Sequence, residues 1–268
     1  LPEVHKKTIE LIATAYSRQN FSDILANLHR MNVFIDGGRP MTDAALRRIL
    51  AALNETGLLC FSENQCWVPQ PANELIVRAS YRAGRFRQMA MCYNPAPSYQ
   101  TQTIGNFNYK TYFFWGIDSL EILRYFRIAV YFGHVDVLTP LFNAYVDQAP
   151  QGVDDPYYTV INTAFDAQWF LALEPAIQGL AIDRVLVNQI FELEESGPGI
   201  VEFLDDILLH NSKAIAPYAR KWFLLVRFLR GDFAFVRKHV SMLPEDDEAV
   251  IRAMLAFVHG ENDRAVEL

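Results

Sequence analysis

The stretch Thr42-Asp43-Ala44-Ala45-Leu46-Arg47-Arg48-Ile49-Leu50-Ala51-Ala52-Leu53-Asn54-Glu55-Thr56-Gly57 sets the fold of the first part of the chain. Leu46, Ile49, Leu50 and Leu53 recur at i, i+3, i+4 and i+7, one face of a helix, and leave Ala44, Arg47, Arg48, Ala51 and Asn54 facing outward. Thr42 suits the N-cap, Asp43 suits the positive end of the helix dipole, and Gly57 ends the run. Next comes Leu58-Leu59-Cys60-Phe61-Ser62-Glu63-Asn64-Gln65-Cys66-Trp67-Val68-Pro69, two β-prone runs around a polar turn, which predicts a hairpin. Upstream, the apolar spacing predicts a helix over 4–16. A second helix is predicted to be capped by Ser22 and carries Ile24, Leu25, Leu28 and Met31; Asp36-Gly37-Gly38-Arg39-Pro40 then breaks the chain.

Three short helices with a hairpin after the third resemble the winged-helix family, a variant of the helix-turn-helix. The resemblance implies that the helix at 42–56 is the recognition helix and 58–68 the wing. In DNA-reading members that helix lies in the major groove, which makes Arg47, Arg48 and Asn54 the contact candidates. Two features depart from a strong DNA binder. The wing tip Ser62-Glu63-Asn64-Gln65 has no Lys or Arg, and residues 1–70 hold 7 basic and 7 acidic side chains. Phosphate neutralisation supplies much of DNA affinity, so this domain by itself should bind weakly. A protein-docking role for the same domain stays open.

The 268 residues carry 24 Lys+Arg against 31 Asp+Glu, net -7, and 51% are hydrophobic, enough for about two domains with full cores. The charge is segregated. Residues 151–210 hold Arg184 alone against 11 acids, whereas residues 71–150 are net +2 and residues 211–268 net +1. Asp154, Asp155, Glu192, Glu194, Glu195, Asp205 and Asp206 read as solvated groups, with a basic partner as the other reading. Cys60, Cys66 and Cys92 make no disulfide framework, and no apolar run is long enough for a membrane span, so a cytoplasmic protein without a membrane partner is expected.

The most basic stretch is a predicted helix over 74–91, where Arg78, Arg82, Arg85 and Arg87 oppose Glu74. If nucleic acid is bound, these four are phosphate candidates; otherwise they pair with the acidic block or solubilise the helix. Asn94-Pro95-Ala96-Pro97-Ser98 and the polar run to Gln102 read as a linker. Phe107, Tyr109, Tyr112, Phe113, Phe114 and Trp115 read as a buried cluster seating the following helices.

Gly84, Gly133, Gly231 and Gly260 share a local frame: each follows a helix with bulky apolar residues, and Met89, Leu138, Val236 and Ala265 stand five residues on. The last, Ala256-Phe257-Val258-His259-Gly260-Glu261-Asn262-Asp263-Arg264-Ala265-Val266, resembles the turn of a tetratricopeptide repeat, although Gly231 and Gly260 lie 29 apart against the family's 34. Further helices are predicted over 160–173, 181–194 and 200–209, and no strand after residue 70. The fold class expected is mainly α: a winged helix at 1–70, a basic connecting helix and linker at 71–102, and a tetratricopeptide-like α-solenoid at 103–268. Such a groove binds segments of other proteins or a neighbouring domain of the same chain. Ending at Leu268 within the last repeat, and starting at Leu1, the chain reads as a piece of a longer protein.

There is no GxxxxGK[ST], GxGxxG after a strand, GxSxG or HExxH, and Cys60 and Cys66 have no second thiol pair for zinc. The expectation is a non-enzymatic chain without cofactor or metal, an N-terminal recruitment or regulatory module. The architecture resembles the N-terminal region of large bacterial Swi/Snf-type helicase ATPases, which implies a motor downstream. A transcription regulator with a winged-helix reader and a helical sensor, or a purely protein-binding adaptor, are the alternatives.

Overall fold

The computed structural model describes residues 1–35, 37–93, 98–104, 107–114, 116–148, 155–163, 165–192, 199–211 and 217–267. The chain is mainly helical and divides into two compact units, Leu1–Pro156 and Tyr157–Leu268. This division differs from the predicted boundaries near 70 and 102, because the segment read as a connector packs into the first unit. Residues 94–97 of the expected linker, Trp115, Asp154, Glu194, Glu195 and residues 196–198 of the predicted break at 196–199 lie outside the described residues.

The first unit is organised around α1 (Glu3–Ala15), which packs against α2 (Phe21–Arg30), α3 (Asp43–Glu55), α4 (Gln70–Arg82), α5 (Phe86–Ala90) and α6 (Ser119–Phe132). Leu11 and Ile12 of α1, Ile24 and Leu28 of α2, and Leu46, Leu50 and Leu53 of α3 are fully or almost fully buried, the stripes that the periodicity predicts. Thr42 caps α3 by accepting from the Ala45 amide at 3.2 Å, and Gly57 follows at φ 73°. Strands β1 (Gln19–Asn20), β4 (Cys60–Ser62) and β5 (Gln65–Trp67) form an antiparallel sheet in the order β1-β5-β4, with Gln19 opposite Cys66 and Cys60 opposite Trp67. This ladder corrects the start of α2: pairing of Asn20 with Gln65 brings the helix to begin at Phe21, whose amide donates to the Asn64 carbonyl, and Asn20 rather than Ser22 holds the cap position. Between α2 and α3, the chain turns through β2 (Phe34–Ile35) and β3 (Arg39–Pro40).

Within the first unit, two expectations are corrected beyond residue 70. The single helix over 74–91 is two, α4 and α5, broken at Gly84, which takes φ 70°. The run read as linker and aromatic cluster contains a two-stranded antiparallel sheet, β6 (Ser98–Ile104) with β7 (Phe107–Phe113), in which Ile104 faces Phe107. Its signal was present as β-branched and aromatic residues in alternation, Tyr99, Thr101 and Thr103, then Tyr109 and Thr111, around the dipeptide Gly105-Asn106. Tyr112 and Lys110 of β7 both donate to Asp136 at the start of α7 (Val135–Gln148), at 3.2 and 2.6 Å.

In the second unit, residues 160–173 are not one helix. A π-helical turn at Tyr158–Asn162 gives way to α8 (Ala167–Leu171), which starts afresh because Asp166 caps the Trp169 amide at 3.0 Å. Helix α9 (Pro175–Glu192) begins six residues earlier than predicted, with Pro175 in its first turn. Then come α10 (Ile200–Asn211), α11 (Pro217–Leu229), α12 (Phe233–His239), α13 (Glu245–Val258) and α14 (Asn262–Glu267). Leu224, Val236, Val240, Leu243, Ile251 and Leu255 form one of its apolar clusters. Asp205, read from sequence as a solvated acid, is partly buried and paired with Arg227, to which it is held by a 3.0 Å bond from Nε.

The four glycines chosen from the sequence all end helices in the same way. Each donates to the carbonyl three residues back, and the next residue donates to the carbonyl five back: Gly84 to Tyr81 and Arg85 to Ser80, Gly133 to Val130 and His134 to Ala129, Gly231 to Phe228 and Asp232 to Arg227, Gly260 to Phe257 and Glu261 to Ala256. With φ between 70° and 79°, these are αL helix stops that reverse the chain into the next helix.

At Gly199 the requirement is for space. A Cβ there would come within 2.1 Å of Asn162 Oδ1, the atom that accepts from the Ile200 amide at 2.8 Å at the start of α10. Gly199→Ala is expected to push Asn162 aside, orphan a buried N–H and destabilise the second unit by about 1–3 kcal/mol. Denaturant unfolding followed by the fluorescence of Trp169 and Trp222 checks this, and an unchanged midpoint would contradict it.

Candidate nucleic-acid interface

The residues singled out on α3 share its solvent face. Arg47, Arg48 and Asn54 are exposed, and Arg47 and Asn54 are seven apart, so they align along the helix. Arg47 is partly committed: its Nε donates to Asp43 at 2.8 Å, and its guanidinium lies 5.1 Å from the centre of the Phe21 ring. Both members of that pair are more than half exposed, so the bond is weak and the side chain can be recruited elsewhere. The Arg48 guanidinium reaches back to the Ala44 carbonyl at 3.4 Å. The β4–β5 turn presents Glu63, with φ 53°, and Asn64, so the hairpin beside α3 carries no cation at its tip.

The four arginines after residue 70 are not one patch. Arg78 is buried, 2% exposed, which removes it from any surface role. It lies on the inward face of α4 with Asn73, Glu74 and Val77. Arg85 is part-exposed but committed: it grips the buried Glu10 carboxylate of α1 with two nitrogens, the Nε bond being 2.8 Å, and this pairing raises its already high pKa. Arg82 and Arg87 are exposed, on opposite sides of the Gly84 turn. The exposed candidates are therefore Arg47, Arg48 and Asn54 on α3, and Arg82 and Arg87 around the turn.

Three features escaped the sequence reading. One is a buried ionic group: Arg127 of α6 donates to Glu74 Oε1 from Nη2 at 2.6 Å and from Nε at 3.2 Å, and from Nη1 to the Ala13 carbonyl at 2.7 Å, with its guanidinium 3.5 Å from the centre of the Tyr16 ring. Burial pushes the Glu74 carboxyl above its usual range, and the positive charges of Arg127 and Arg78 oppose the shift. Another is Arg18, stacked 4.5 Å from the Trp67 ring at the base of the hairpin. The third is a concavity lined by aromatic residues from both sides of the Gly84 and Gly133 turns. The residues flanking those glycines were a signal for it, since Tyr81 and Phe86 surround one and Tyr131 and Phe132 precede the other.

Cys66 is fully buried in the sheet, and burial pushes its thiol up to about 12, so it is a packing residue rather than a ligand or nucleophile. Among the described residues, no group of three or more His, Cys, Asp or Glu could hold a metal ion, and no helix is long and apolar enough to cross a membrane. Comparison with known protein families, curated proteins and solved structures found no match to this chain.

Proposed function

We propose that this chain is a non-catalytic recruitment module whose first unit opens with a winged helix, residues 1–70, that contacts duplex DNA through α3. The observation that carries the reading is the exposed Arg47, Arg48 and Asn54 on the third helix of an α1-β1-α2-α3-β4-β5 unit with sheet order β1-β5-β4. Arginine and asparagine side chains suit guanine and adenine edges, and α3 has the 13 residues needed to lie along a major groove. The short wing carries no Lys or Arg and supplies no phosphate clamp, Arg78 is buried and Arg85 is held by Glu10, so binding is weak and its salt dependence rests on the arginines of α3. A module of this kind serves a larger nucleic-acid-acting protein, with a Swi/Snf-type motor as the architecture it resembles.

Its second unit contributes protein contacts in this reading. Two helix–Gly–helix turns there, at Gly231 and Gly260, support a tetratricopeptide-like docking body, and Phe257 and Val258 on its last hairpin are 68% and 47% exposed. A transcription regulator with the same reader and a helical sensor is the second reading, favoured by the aromatic concavity of the first unit.

The test is duplex binding over a salt series. Each phosphate contact adds about -0.9 to the slope of log K against log salt, so Arg47→Ala/Arg48→Ala should flatten the slope by up to about 2 if both touch phosphate. Arg82→Ala/Arg87→Ala should leave it unchanged. The reverse pattern would move the interface to the Gly84 turn, and no binding at low salt would leave only the protein-docking role.

A further inference from the structure

The concavity in the first unit has the composition of a ligand site rather than of an unfilled seam. Its volume is about 480 Å3 and its walls come from α4, α5 and the following Met91 on one side and the α6–α7 turn on the other. Cavities of ~300–1,000 Å3 lined by aromatic side chains with a few placed polar groups are the usual form of small-molecule sites. Phe86 and Tyr131 form a buried floor with ring centres 4.6 Å apart, Tyr81 meets Tyr131 edge-on at 5.1 Å, and Phe132 meets Phe86 edge-on at 5.8 Å. These rings are fixed by one another and by the two glycine-stopped helix ends, so the site exists without closure. Its rim is different in character. Arg87 and His134 are exposed there, with the guanidinium 5.9 Å and the imidazole 5.7 Å from the centre of the Phe132 ring, and Met91 is 57% exposed beside them. Among the described residues no carboxylate pairs with Arg87, whereas Arg85, two residues earlier, is held by Glu10.

We propose that this concavity binds a small aromatic carboxylate. The half-buried rings of Tyr81 and Phe132, backed by the floor, offer faces and edges to an aryl group, which aromatic walls hold in edge-to-face or offset geometry. The carboxylate then meets the planar fork of Arg87 at the rim, a charge-assisted and geometrically specific contact, with the His134 ring nitrogen as a second donor. A purely apolar guest would leave the Arg87 charge unmatched, and a cationic guest would be repelled by it. The site is separate from α3 and does not depend on the DNA reading.

The experiment titrates the whole chain with 2-naphthoate and, separately, with 2-naphthylmethanol, which keeps the rings and lacks the charge. Saturable binding of 2-naphthoate is expected, about tenfold tighter than the alcohol at low salt. Arg87→Ala should bring 2-naphthoate down to the alcohol's affinity, a loss of about tenfold, while leaving the alcohol unchanged. Phe132→Ala, at a half-buried position, should weaken both probes together. Arg87 is exposed, and an unchanged melting curve for its variant will show that the fold is kept. Equal affinity for acid and alcohol, insensitivity of 2-naphthoate to Arg87→Ala, or no saturation with either probe would each overturn the proposal.

Discussion

Arg127→Ala is expected to destabilise the first unit by about 3–5 kcal/mol, because it strips a buried carboxylate of its main partner. Arg127 and Glu74 are both fully buried, and their bonds of 2.6 and 3.2 Å join α6 to α4. The same guanidinium also reaches the Ala13 carbonyl, where α1 ends and Tyr16 turns the chain at φ 63°. A cation there serves the negative end of the helix dipole and adds a second donor to a carbonyl that also accepts from the Tyr16 amide at 3.3 Å. Truncation thus removes three bonds and the stack on Tyr16 at once. Removing both charges is a different matter, since well-packed apolar replacements of a buried pair are often neutral or stabilising. Arg127→Met with Glu74→Leu should recover part of the loss, the buried Arg78, whose charge also acts on Glu74, being left in place. Denaturant midpoints of the two variants measure this, and a loss below about 1 kcal/mol for Arg127→Ala would contradict the assigned role.

Phe170→Ala should cost the second unit about 3–5 kcal/mol, the range for deleting a buried aromatic ring. Its ring is fully buried, with Phe165 at 5.4 Å and Phe203 at 5.6 Å, and Phe165 and Phe203 stand 5.5 Å apart. The triangle fastens the short α8 to α10, elements too short to be stable by propensity alone. Phe170→Leu keeps most of the volume and should cost less than half as much. The fluorescence of the adjacent Trp169 reports the transition directly, and equal costs for the two variants would contradict this expectation, since they would place the whole effect in the ring contacts and none in the buried volume.

What the sequence revealed and what it hid divides by distance along the chain. The α3 stripe, its Thr42 cap and the stops at Gly133, Gly231 and Gly260 are determined by residues within about two helical turns, and each was legible. Arg78 was misjudged for the opposite reason. Its counterpart in the interior, the Glu74–Arg127 group, spans 53 residues, and no local pattern announces that a polar stripe of Asn73, Glu74 and Arg78 faces inward. Treating 74–91 as one helix compounded the error, since Gly84 redirects Arg85 toward Glu10 and Arg87 toward the Phe132 ring. The β6–β7 hairpin was hidden by its polarity: with Gln100, Gln102 and Thr101 in the first strand, the segment after Pro97 has the composition of a linker, and only its alternation marks it as β. On the candidate interface, the outward placement of Arg47, Arg48 and Asn54 followed from helical spacing alone.

Backbone amide shifts of the whole chain, recorded as a short duplex is added at low salt, test the central claim most directly. The expected result is a contiguous set of perturbations over residues 47–54 of α3 and the Glu63–Asn64 turn of the hairpin, reversed by added salt and lost in Arg47→Ala/Arg48→Ala. Perturbations confined to the second unit or to the Gly84 turn, or none at all, would contradict it.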